Sequence, residues 1–212
     1  MKAIRIVSCA LLAAVAATVA ACSSSTVREG SSPVILVIDT LQGIRGATVA
    51  GTAASNLISD VFSLVTSGGT CTTALPCPTV FLDLGQAGVH IVLKDIGLPG
   101  TTPSPSTNNQ VTITRVHVSY RRTDGRNQEG VDVPYAFDTA STATVTGTTT
   151  VTVGFPLVRI QAKQEAPLMA LRTNGQILSV IGEVTFFGQD VVGNAISATG
   201  LINIDFGNFG DQ

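Results

Sequence analysis

Residues 177–206 read ILSVIGEVTFFGQDVVGNAISATGLINIDF, and their alternation decides the fold class. From Ile196 to Phe206 the even positions are Ile196, Ala198, Gly200, Ile202, Ile204 and Phe206. The odd positions are Ser197, Thr199, Leu201, Asn203 and Asp205. Successive side chains of a strand point to opposite faces, so this period of two predicts a half-buried strand, with Leu201 its exception. Upstream, Leu178, Val180, Val184 and Phe186 share one face, and Ile177, Ile181, Glu183 and Phe187 the other. Between the runs, Asp190 and Gly193-Asn194 supply turn-forming side chains and positive φ, so the pair should close as a hairpin. The even face of residues 196–206 should then pack on the preceding strand and an opposite sheet.

Asp190-x-x-Gly193-Asn194 between two final strands resembles the last hairpin of many bacterial immunoglobulin-like modules. The resemblance is confined to the region of this hairpin. It implies a β-sandwich closing on its last two strands and nothing about a ligand.

Working outward, the other segments point the same way. Val34 to Ile38 is an apolar run suited to a first strand, and Val89 to Leu93 is another. Val111 to Tyr120 is rich in β-branched residues but changes phase near Thr114-Arg115, as a bulge would require. Asp124-Gly125 marks a turn, and Val131 to Tyr135 reads as extended, with Pro134 arguing for an edge. Thr142 to Ile160 is Thr- and Val-rich, broken by Gly147, Gly154 and Pro156. Ala53 to Val65 permits a helix, with Leu57, Val61, Leu64 and Val65 at helical spacing; an extended reading of Ser59 to Val65 is nearly as good. Short strands with this punctuation predict an all-β fold, an immunoglobulin-like β-sandwich. Residues 33–212 are long for one such domain, which has about 100 residues, so an elaborated single sandwich is expected. Residues 99–109 (PGTTPSPSTNN) read as a long surface loop within it rather than a domain boundary.

The N-terminus carries the address. Lys2 and Arg5 precede an uncharged run from Ile6 to Ala21, the layout of a secretory signal. A membrane-spanning helix needs about 20 apolar residues, more than this run offers. Val19-Ala20-Ala21-Cys22, followed by Ser23-Ser24-Ser25, resembles the lipobox of bacterial lipoprotein precursors. That resemblance implies a signal peptide at 1–21 cut before Cys22, and lipid attachment through the Cys22 thiol and its new α-amine. Two or more acyl chains hold a protein at a membrane without a spanning helix. Ser23, where an aspartate commonly retains Gram-negative lipoproteins at the inner membrane, implies the outer membrane. Residues 22–32 read as a lipidated, flexible tether. The segments VSYRRTDGRNQEGVDVPYAFD (118–138), AKQEAPL (162–168) and VTFFGQD (184–190) also resemble a group of uncharacterised bacterial lipoproteins, which adds a class and no mechanism.

Loss of Lys2 and Arg5 with the signal leaves 10 basic residues against 14 acidic, a formal net charge of −4. Without clustered Lys and Arg, nucleic acid is not an expected partner. Trp is absent and aromatics are 5%, which argues against carbohydrate stacking. Cys9 leaves with the signal, so Cys71 and Cys77 remain, and in an exported protein such a pair is most simply a disulfide. Closing so short a loop contributes roughly 2 kcal/mol, enough to pin the loop rather than the fold. Metal binding there would need further ligands, and no His or acid lies between Ser67 and Phe81.

No nucleophile elbow, zinc-protease helix or phosphate loop occurs. His90 and His117 lack metal-ligand spacing, so each is expected in a structural or surface role. Arg121, Arg122 and Arg126 around Asp124-Gly125 are either an anion-binding tip or a solvated hairpin end paired with Glu129 or Asp132. Asp124, Asp132, Asp138 and Asp190 sit in expected loops but form no calcium-loop run. Lys163-Gln164-Glu165 reads as a charged turn. The expectation is a membrane-anchored, non-catalytic binding or structural module with no cofactor, meeting an envelope protein or polymer. The alternative is a periplasmic or surface hydrolase whose site assembles only in space.

Overall fold

In the computed structural model, residues 31–49, 51–95, 100 and 103–210 are described; the signal segment and Cys22 lie outside them. The two alternating runs that close the chain form β9 (Leu178–Asp190) and β10 (Ala195–Gly207), paired antiparallel from Ala195↔Gln189 to Phe206↔Leu178. Ile196, Ile202, Ile204 and Phe206 are buried, and the odd neighbours Ser197, Thr199, Leu201 and Asn203 are exposed. A Cβ on Gly200 would touch Leu41 and Ile38 of the first strand, so this face meets the opposite sheet. At the tip, Asp190 Oδ1 accepts from the Val192 and Asn194 amides, and Oδ2 accepts from Asn194 Nδ2. Gly193 takes φ +91°, a conformation open to glycine.

The remaining strands are β1 (Val34–Ile44), β2 (Asn56–Asp60), β3 (Ser63–Val65), β4 (Cys77–Thr79), β5 (Asp83–Leu93), β6 (Val111–Arg121), β7 (Phe137–Val145) and β8 (Val151–Val158). The fold is all-β. One sheet has the order β1-β5-β8, a second the order β2-β10-β9-β6-β7, and β3-β4 form a ribbon. β2 joins β10 in parallel; the other pairings are antiparallel. One cluster of buried side chains draws Leu36, Val89 and Phe155 from the first sheet and Val116, Phe186 and Ile204 from the second. The register of β6 shifts between Ile113 and Arg115, where the sequence changes phase, and Thr114 is the extra residue. Pro156 lies in β8, an edge strand, where a missing amide is tolerated.

Four expectations need correction. Of the two readings open for Ala53 to Val65, the helix is absent and the extended one holds in β2 and β3: pairing of β2 with β10 overrides the helical spacing. Residues 131–133 do not extend a strand, because the Val131, Asp132 and Val133 amides all converge on the Gln128 carbonyl in a tight turn. Ser32, read as tether, is 3% exposed and its Oγ accepts from the Val34 amide, so the folded part begins there. Lys163-Gln164-Glu165 is not simply a charged turn but belongs to residues 160–165. They contain α1 (Ile160–Gln164), which a 3-10 turn (Leu168–Ala170) and α2 (Leu171–Asn174) follow before β9.

Candidate functional site

α1 carries Lys163 into the interior. Its Nζ lies 2.7 Å from Asp83 Oδ2, and both side chains are 0% exposed. Asp83 opens β5, and its carboxylate is held from two further sides. Ser59 Oγ, from β2, donates to Oδ2 at 2.6 Å, and the Gly46 amide donates to Oδ1 at 2.8 Å. A Cβ on Gly46 would stand 2.1 Å from the Leu82 carbonyl oxygen, so glycine is what lets this amide approach. Next along β2, Asp60 Oδ2 accepts from Arg45 Nη2 at 2.9 Å and from Ser63 Oγ at 3.0 Å. Asp60 Oδ1 accepts from the Phe62 and Phe209 amides.

Taking two charges out of water costs several kcal/mol per ion, which their attraction must offset. Desolvation accordingly pushes the Asp83 carboxyl up and the Lys163 ammonium down, each opposed by the other's charge. Lys163 Nζ has no hydrogen-bond partner beyond this ionic contact among the described residues. Tyr120, donating to the Leu157 carbonyl at 2.6 Å, is also pushed up, by burial first and then by the Asp83 charge.

A surface cavity of about 430 Å³ adjoins this network. Arg45 and Ser63, both bonded to Asp60, form its polar wall; Val49, Leu64 and Phe81 add apolar surface. Leu64 belongs to β3, which pairs with β4, and β4 begins at Cys77. The Cys71–Cys77 disulfide is formed, so the covalent loop fixes the ribbon that walls the cavity. This cavity can hold an uncharged polar or mixed group; its one cation is already paired with Asp60.

Neither histidine lines this cavity or the smaller one beside Arg115 and Phe187. His90 Nδ1 meets Asp39 Oδ2 at 2.8 Å, and Thr150 Oγ1 donates to the same oxygen. Those two hydrogen bonds, His90's first, hold Asp39 below the usual carboxylate range. His117 and Arg115 share Asp138, which is lowered chiefly by Arg115. The arginine tip pairs differently from the sequence reading. Arg122 and Arg126 both grip Asp124, which they hold far below its ordinary value, while Arg121 reaches Glu183. Glu129 instead accepts from the Ala136 amide and Asp132 from the Gln128 amide. Of the four carboxylates expected in loops, Asp138 lies in β7 and Asp190 ends β9; all four are engaged within the chain, and among the described residues no three His, Cys, Asp or Glu gather as a metal set.

Sequence reasoning missed Lys163, Asp83, Ser59 and Asp60. No periodic signal marks them, since polar residues on a buried face look like solvated ones. Cys22, the expected lipid-attachment residue, lies outside the described residues. No known family matches the chain, and no curated protein matches it.

Proposed function

We propose that this chain is an outer-membrane lipoprotein, anchored through Cys22, whose immunoglobulin-like β-sandwich serves as a non-catalytic binding or structural module. The observation that carries the reading is Val19-Ala20-Ala21-Cys22 after a basic start and an uncharged run. The tether of residues 22–31 spans roughly 35 Å at full extension and ends where Ser32 is already buried. A disulfide at Cys71–Cys77 suits an oxidising compartment. For the sandwich, β1-β5-β8 correspond to the A, B and E strands, and β10-β9-β6-β7 to G, F, C and C′, with β2 added in parallel on the last strand.

The lipid lies before the first residue of β1, and the cavity beside Arg45 lies just past its last. The eleven residues of β1 put about 35 Å between the strand's start, where the tether joins, and its cavity end. The cavity beside Arg45 is the surface the module would offer to an envelope protein or polymer. Fractionation and the mass of the first mature peptide test the anchor. Wild type should enter the detergent phase with acylated Cys22, and Cys22→Ser should be released or stalled unprocessed. A Cys22→Ser protein cut at the same bond and still membrane-bound would overturn the reading.

A further inference from the structure

The buried pair at the centre of the charge network has a second chemical possibility besides attraction. We infer that Lys163 and Asp83 are a modification site, joined in the mature protein by an intramolecular amide between Nζ and Cγ. The inference stands on geometry within the folded part and is independent of the anchor.

Three observations carry it. The reacting groups are in contact, 2.7 Å from Nζ to Oδ2, and both are fully shielded from water. Lys163 Nζ has no other hydrogen-bond partner among the described residues, so nothing else holds the nitrogen back from Cγ. The acid is also polarised as the reaction requires. The Gly46 amide points at Oδ1, where negative charge develops when nitrogen adds to Cγ, and Ser59 Oγ donates to Oδ2, the oxygen that departs. Burial supports the same outcome, since it favours an uncharged amine and acid over the ion pair.

The step balances without a co-reactant. Nζ passes one proton to Oδ2, giving a neutral amine and a carboxylic acid. The nitrogen lone pair then forms the Nζ–Cγ bond, a second proton moves from nitrogen to Oδ2, and the Cγ–Oδ2 bond breaks to release one water. Other charge pairs around this site lack the amine: Arg45 meets Asp60 through a guanidinium. Lys94, the other lysine after Cys22, is exposed.

Tryptic mapping of the reduced, alkylated mature protein tests it. With the link formed, Lys163 resists cleavage, so residues 46–94 appear joined to residues 160–172, at the summed mass less one water. Lys163→Arg and Asp83→Ala should each abolish the branched peptide. Wild-type protein cut after Lys163, with residues 46–94 free at their unmodified mass, would overturn the inference; this arm needs no variant to fold. A branched peptide persisting in Asp83→Ala would overturn the choice of acid.

Discussion

The final hairpin and the region around Asp83 belong to the same two-sheet frame yet are stabilised in opposite ways. Along β9 and β10, burial is apolar and repeated: Val180, Val184, Phe186, Ile202, Ile204 and Phe206 fill one face while their alternate neighbours, mostly polar on β10, face out. Around Asp83 the buried side chains include the polar Ser59, Asp60, Asp83 and Lys163. Apolar packing is non-directional, so one truncated side chain leaves the rest of the face in place. A buried pairing of Lys163 with Asp83, ionic or covalent, fails at once, because removing either member strands the other. The hairpin is tolerant in proportion to what is removed, and the charge network is not.

The largest effect should therefore come from one polar substitution. Lys163→Met leaves Asp83 buried with neither its counter-ion nor an amide partner, and is expected to cost about 3–5 kcal/mol in denaturant unfolding. Ile204→Ala, in the hairpin, removes a fully buried branched side chain and should cost about 2–5 kcal/mol. If Lys163→Met proved the milder of the two by a wide margin, the contrast between the regions would collapse. Asp190→Ala removes the acceptor of three hydrogen bonds at the hairpin tip and is expected to cost about 1–2 kcal/mol by the same assay. Asn203→Ala, adjacent to Ile204 but exposed, should stay within about 0.5 kcal/mol. Equal losses for Asn203→Ala and Ile204→Ala would show that the strand does not separate two faces.

Smallest of all is the effect of the exposed arginine tip. Asp124 has a folded-state pKa below the ordinary aspartate range, lowered first by hydrogen bonds from Arg122 and then from Arg126. A lowered carboxylate contributes stability above the unfolded value, and that contribution is lost as pH falls through the folded one. Unfolding midpoints of wild type and Asp124→Asn should thus differ slightly at neutral pH and converge on acidification below about pH 4. A difference that grew on acidification would reverse the assigned sign.

The same contrast explains what was legible in the sequence. Leu178 to Phe206 could be read because each apolar residue reports its face, and the phase change at Thr114-Arg115 could be read as the bulge it forms. Cys71 and Cys77 were legible through compartment and spacing. Val131 to Tyr135 was misread because its fold rests on backbone bonds to the Gln128 carbonyl, which no side-chain pattern records. Lys163 was misread for a related reason. In Lys163-Gln164-Glu165 the lysine is buried while Gln164 and Glu165 are not, and only its partner at Asp83, far away in sequence, makes burial tolerable. Long-range compensation of charge leaves no local trace.

Lysine reactivity tests the contrast most directly, because after Cys22 the chain holds only Lys94 and Lys163. The folded protein, starting at Cys22 as proposed, would be treated briefly with an amine-acylating reagent, quenched, digested and mapped for both sites. Lys94, exposed just beyond β5, should be modified, whereas Lys163, 0% exposed against Asp83, should not. Modification of Lys163 in the folded protein at a rate matching Lys94 would place it at the surface and contradict the buried charge network.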